Sequence, residues 1–179
     1  MSNSKIQALA ETAVFVAIAL ILSIVSINYA QTFYVELTVV PLLLLAIRRG
    51  LIWGLAAGLL YGLLAIVLGE VTPLSAAQAF LEYVVAPISL GVSGIFNTKS
   101  VLTFSKVLYA TLLGVSVKYF FHFIAGIVFW SQYAWKGWSA WIYSLVTNGL
   151  SGILTAAAAL IILGMIYKAS PGLFRVKKW

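Results

Sequence analysis

The sequence predicts an all-α integral membrane protein: a bundle of six transmembrane helices with both termini cytoplasmic. The first observation is composition: 63% of the 179 residues are hydrophobic and the mean hydropathy is +1.09. The second is charge: only 8% of residues are charged, against roughly a quarter in an ordinary soluble domain, and a soluble fold could not hide so much apolar surface. The third is the placement of Lys and Arg, which gather at alternate ends of the apolar runs. A bilayer core about 30 Å thick takes ~20 apolar residues per spanning helix, so six spans use ~120 residues. The remainder is too short for a separate catalytic or nucleotide-binding domain, and residues 1–179 read as a single transmembrane domain.

Hydropathy and chain breakers set the elements in order. The first runs from about Ile6 to Ile27 and stops in the polar, aromatic stretch Asn28-Tyr29-Ala30-Gln31-Thr32. Its leader, MSNSKIQALAETA, lacks a charged n-region followed by a small-residue cleavage site, so it reads as a retained helix. The second, about Val35 to Ile47, is short and ends at Arg48-Arg49-Gly50. A third, about Leu51 to Leu68, ends at Gly69-Glu70-Val71-Thr72-Pro73. The fourth covers roughly Ala76 to Phe96 and contains Pro87, which removes a backbone donor and predicts a kink. The fifth spans about Ser105 to Phe129. The sixth runs from about Ala140 to Tyr167, before Ser170-Pro171-Gly172.

Orientation follows from the basic residues. With the N-terminus cytoplasmic, nine fall inside: Lys5, Arg48, Arg49, Lys99, Lys106, Lys168, Arg175, Lys177 and Lys178. Outside there is Lys136, while Lys118 lies within the fifth segment. The net charge of +7 is thereby assigned to helix ends facing the cytoplasm rather than to nucleic-acid binding.

Composition also narrows the chemistry. There is no Cys and no Asp, and one His, which excludes disulfides and thiolate sites and leaves no paired His ligands for a metal. A catalytic triad would need an unusual Ser–His–Glu set, so the chain does not read as an enzyme. The phosphate-binding pattern GxxxxGK[ST] is absent, so any active transport must draw its energy from partners or coupled ions.

The four acids are Glu11, Glu36, Glu70 and Glu82. Glu36 and Glu70 fall at the outer surface, and Glu82 lies about two turns into the fourth segment. An acid there is expensive unless it faces a cavity or a partner; Lys118 is the candidate partner. His122, Gly126 and Trp130 are spaced i, i+4, i+8 and share one helix face, with His122 about 12 Å deeper than Trp130. Gly126 leaves either a notch for a flat molecule or a helix-packing contact. Tyr143 and Asn148 begin the sixth segment, serving a ligand or helix packing. The loop WSQYAWKGWSAWIY (130–143) holds four Trp and two Tyr in fourteen residues, an interfacial belt or part of a site for a flat or cationic ligand. Ala13 and Ala17 form a small-xxx-small pair for an intramolecular contact or a partner helix.

At these residues the sequence resembles a known family. FLEYVVAP (80–87), KYFFHFIAGIVFW (118–130), WIYSLVTNG (141–149) and VELTVVPLLLLAIRRG (35–50) are similar to the thiamine-specific substrate-binding subunits, or S components, of energy-coupling factor (ECF) transporters, the ThiT type. The resemblance covers most of the chain but not the loop Asn28–Tyr34. It implies that Glu82 binds the aminopyrimidine and balances the thiazolium charge. Its further implications are polar contacts from His122, Tyr143 and Asn148, ring stacking by Trp130, a wall formed by Gly126 and Tyr83, and an outer acidic contact from Glu36. The Ala13/Ala17 face is similar to the alanine motif that docks S components on the shared coupling subunit.

The implied protein has no cofactor, captures thiamine at the outer face of a bacterial cell membrane, and works with an ECF transmembrane coupling subunit and two ATPase subunits. The rival readings are an S component for another vitamin or a thiamine precursor, and a stand-alone proton-coupled transporter using Glu82, His122 and Lys118.

Overall fold

The computed structural model describes residues 3–25, 27–29, 32–71, 73–97 and 102–175. Ala30, Gln31, Thr72, Lys99, Lys177 and Lys178 lie outside them. Helices dominate: α1 is Asn3–Ile24, α2 Val39–Arg49, α3 Leu51–Val67, α4 Ala76–Phe96, α5 Phe104–Val128 and α6 Ala140–Ala169. Four of these, α1, α4, α5 and α6, are long and apolar enough to cross a membrane. The 17-residue α3 is a shorter apolar helix.

The second segment departs from a lipid-facing span. At eleven residues α2 is about 16 Å long, and every one of its residues is buried. It is the axis of the bundle, with Leu42, Leu43, Leu45 and Ile47 in the common core beside Val107, Val115, Ala159 and Leu163. Arg48 and Arg49 end it, and Asn97 donates through Nδ2 to the carbonyls of Ile47 and Arg48 at 3.0 and 2.9 Å. These are helix-end acceptors that would otherwise lack partners. Gly50, at φ +91°, then turns the chain directly into α3.

Two further expectations are corrected. The first helix ends at Ile24, not Ile27, and the second begins at Val39, not Val35. Between them lies an antiparallel hairpin of β1 (Ile27–Tyr29) and β2 (Phe33–Val35), pairing Ile27 with Val35 and Tyr29 with Phe33. Its anchor is tertiary: the Tyr34 amide donates to Ser151 Oγ at 3.0 Å and the Glu36 amide to Thr155 Oγ1 at 3.1 Å. Ser151 and Thr155 are one turn apart on α6, so β2 lies along that helix.

The seam between α3 and α4 is built from glycine. A side chain at Gly58 would strike the Pro87 carbonyl, and one at Gly62 the Tyr83 carbonyl; one at Gly54 would lie 2.9 Å from Gly91 Cα. Gly54, Gly58 and Gly62 recur at i, i+4, i+8, a spacing that lets two backbones touch. In α4 itself the predicted disturbance around Pro87 takes a definite form. Residues Phe80–Val85 make a π-helical turn and Leu90–Phe96 a 3₁₀ stretch. The wider turn absorbs the missing proline donor and carries Glu82 and Tyr83, a common setting for functional residues.

Candidate functional site

A cavity of about 630 Å³ opens at the hairpin end of the bundle. It is walled by α3 (Tyr61, Gly62), α4 (Glu82, Tyr83), α5 (Lys118, His122, Gly126), Trp130 just beyond α5, and α6 (Tyr143, Thr147, Asn148), with Tyr34 of β2, Glu36 and Thr38 between β2 and α2, and Ser23 and Glu70. All eight residues singled out as a candidate site, Glu36, Glu82, Tyr83, His122, Gly126, Trp130, Tyr143 and Asn148, line it. The helix spacings explain why. His122 and Gly126 share one face of α5, the helix stops at Val128 so that Trp130 lies two residues past its end rather than on the predicted i+8 position, and the π-turn of α4 presents Glu82 opposite them.

Glu82 is buried at 9% exposure, and its partners are specific. Trp130 Nε1 donates to both carboxylate oxygens at 3.2 and 3.1 Å, Gln78 Nε2 donates to Oε2, and His122 Nδ1 lies 3.5 Å from Oε1. Gln78 is itself fully buried and accepts from the Leu74 amide at 3.1 Å, so the carboxylate is held from behind. No Lys or Arg among the described residues forms an ion pair with it.

That last fact corrects the pairing expected for Lys118. Its ammonium binds Glu36 instead, 2.6 and 2.7 Å from the two carboxylate oxygens. Tyr119 supports the pair: its hydroxyl donates to Glu36 Oε1 at 2.9 Å and lies 2.9 Å from Thr155 Oγ1. The reason is placement. Glu36 follows the hairpin that is pinned to α6, and this brings it over the Lys118 face of α5. Sequence distance gave no sign of this, since the partners are 82 positions apart. Glu36 is therefore part of the inner wall, whereas Glu70 is exposed and accepts from Ser23 Oγ at 2.6 Å.

Gly126 resolves into a packing role beside its place in the wall. A Cβ there would overlap Ser144 Oγ and lie 2.8 Å from Asn148 Nδ2. Ser144 Oγ donates to the Phe123 carbonyl at 2.7 Å and accepts from Asn148 Nδ2 at 3.1 Å. The missing side chain thus lets α6 seat Asn148 at the cavity. Of the aromatic loop, Trp130 and Tyr143 reach the cavity. Trp135 packs edge-on to Trp138, Tyr143 and Phe33, bracing the hairpin against α6, and Trp141 is exposed.

A family model described as "Thiamine transporter protein (Thia_YuaJ)" matches residues 9–175. The chain belongs to this thiamine transporter family. Two curated relatives are both named thiamine transporter ThiT. The one from Lacticaseibacillus paracasei is 30% identical, covering 98% of this chain and 94% of its own. That from Bacillus subtilis is 33% identical, covering 99% and 100%. A solved structure of ThiT from Listeria monocytogenes superposes with a TM-score of 0.91 at 33% identity, covering 96% of this chain and 99% of that one. These relatives are transporters, not enzymes, and the apolar helices make this family member a membrane protein.

Several cavity residues in this thiamine transporter family member were not anticipated. Tyr34 lies on β2, Thr38 just before α2, Tyr61 on α3 and Thr147 on α6; lone polar groups in apolar runs were their only signal. Glu11 was noted only as an acid. It accepts from Arg48 Nε at 2.9 Å and Arg49 Nε at 2.7 Å, far from the cavity. Arg48 also donates to the Leu173 carbonyl at 3.0 Å, tying α1, α2 and the C-terminal turn together. Ala13 and Ala17 are exposed on α1, whose packed stripe is Ala8, Thr12, Val16 and Ala19.

Proposed function

We propose that the chain is the substrate-binding subunit of an ECF transporter, taking thiamine from the outer face of a bacterial cell membrane into the cavity around Glu82. The observation that carries this reading is the buried Glu82 carboxylate: it sits in a cavity wall with the indole of Trp130 against it and no Lys or Arg partner among the described residues. Such a group attracts a cation bearing hydrogen-bond donors, and thiamine joins a fixed positive charge to an aminopyrimidine. A charge-assisted bond and an adjacent aromatic face each strengthen with desolvation. His122, Tyr83, Tyr143, Asn148 and Glu36 complete the proposed contacts.

The remaining assignments follow from the same reading. The six-helix bundle spans the membrane, the short α2 making its passage together with the hairpin strand that leads into it, the end bearing Arg48, Arg49 and both termini faces the cytoplasm, and the cavity faces out. The exposed Ala13/Ala17 face docks on the ECF transmembrane coupling subunit, which with two ATPase subunits supplies the energy this chain does not encode.

The test is a thiamine titration of detergent-purified protein read by tryptophan fluorescence, with riboflavin and the isolated pyrimidine half as competitors. Saturable quenching by thiamine, lost in Trp130→Ala, is the expected result. Quenching by riboflavin alone would transfer the site to another vitamin. Uptake by cells expressing the chain without coupling subunits should be absent; full uptake there, dependent on a proton gradient, would overturn the ECF assignment.

A further inference from the structure

Four ionisable groups line the inner wall in sequence, Glu36, Lys118, His122 and Glu82. The Lys118 ammonium, 2% exposed, is shared between Glu36 and the imidazole: it lies 3.1 Å from His122 Nε2, one turn along α5. An ammonium has three protons and no lone pair. Nε2 at that distance is therefore an acceptor, and an imidazole that accepts at Nε2 carries its single proton on Nδ1. Nδ1 is the atom that faces Glu82.

We propose that Lys118 is a positioning residue that holds His122 as the neutral Nδ1–H tautomer, leaving Glu82 as the uncompensated charge of the cavity wall. Lys118 and Glu36 cancel, His122 contributes a dipole directed at Glu82, and the four groups together carry one negative charge. An imidazolium in the same place would neutralise Glu82 and leave a cationic ligand without a counter-ion. The protein thus uses a buried lysine to keep a neighbouring site negative, the opposite of its expected effect as a direct partner of Glu82. The functional consequence rests on the proposed thiamine site; the tautomer does not.

The chain has one His, so nitrogen NMR of ¹⁵N-histidine-labelled protein in micelles, without ligand, reads a single imidazole. The expected wild-type spectrum has a protonated Nδ1 and a bare Nε2. Protonation on both nitrogens, or on Nε2 alone, overturns the proposal without any variant. The double variant Glu36→Gln/Lys118→Met removes the pair without stranding a buried charge. It should lose the uniform Nδ1–H signature and bind thiamine at least tenfold more weakly; an unchanged spectrum overturns the role of Lys118. The companion Glu36→Gln/Lys118→Gln keeps an N–H donor toward Nε2 and should retain the signature. Wild-type protein with this tautomer but no thiamine binding would refute the thiamine reading alone. Thiamine binding beside a doubly protonated imidazole would refute the tautomer alone.

Discussion

Glu82→Gln changes the charge of the cavity while nearly preserving its shape. The carboxylate and the amide are close to isosteric, and the amide oxygen can still accept from Trp130 Nε1, which now lies 3.1 Å from Oε2. What disappears is attraction for a cation. For a positive centre ~5 Å away and an effective dielectric of ~20 it amounts to about 3 kcal/mol, more than a hundredfold in Kd. The amide NH₂ also turns a donor toward Gln78 Nε2 or Trp130 Nε1, both of which now donate to Glu82. Removal of a buried charge without a cationic partner offsets that donor–donor contact, so stability should hold.

The assay is calorimetric or fluorescence titration of wild type and variant with thiamine and with a neutral isostere in which an uncharged ring replaces the thiazolium, alongside a thermal melt. Thiamine binding should weaken at least a hundredfold in the variant, binding of the neutral isostere should change less than fivefold, and the melting temperature without ligand should hold or rise. Thiamine binding within threefold of wild type would refute the reasoning. So would an equal loss for both ligands, which would mean that Glu82 acts through shape and hydrogen bonding rather than charge.

Two other predictions concern packing. Glu11→Ala strands the buried guanidiniums of Arg48 and Arg49 (8% and 2% exposed) and should cost about 3–5 kcal/mol, seen as a melting temperature lowered by roughly 10 °C; a shift under 2 °C would show that water satisfies both arginines. Gly126→Ala forces a methyl against Ser144 and Asn148, overpacking of about 1–3 kcal/mol, and should weaken thiamine binding about tenfold. Gly149→Ala, where an added Cβ meets nothing within 4 Å, is its control and should leave binding unchanged.

The sequence by itself determined whatever depends on local periodicity and composition. Membrane character, the helical runs near 76–96, 105–129 and 140–167, and the shared face of His122 and Gly126 follow from hydropathy and the 3.6-residue repeat, and the eight candidate substrate-site residues line one cavity, Trp130 from beyond the helix end. The Gly54/Gly58/Gly62 seam became visible only in the fold, where the backbone of α4 lies against these glycines. Tertiary structure alone decided the rest, because those features depend on which faces meet. The nine apolar residues of α2, Val39–Ile47, look the same whether they face lipid or protein. The short hairpin exists because Ser151 and Thr155 hold its second strand. Lys118 had several carboxylates within reach in principle; the descent of the pinned strand onto α5 gave it Glu36 and left Glu82 to the cavity. Charge pairing in a membrane bundle is a matter of a few ångströms, and only the packing of helices distant in sequence sets those distances.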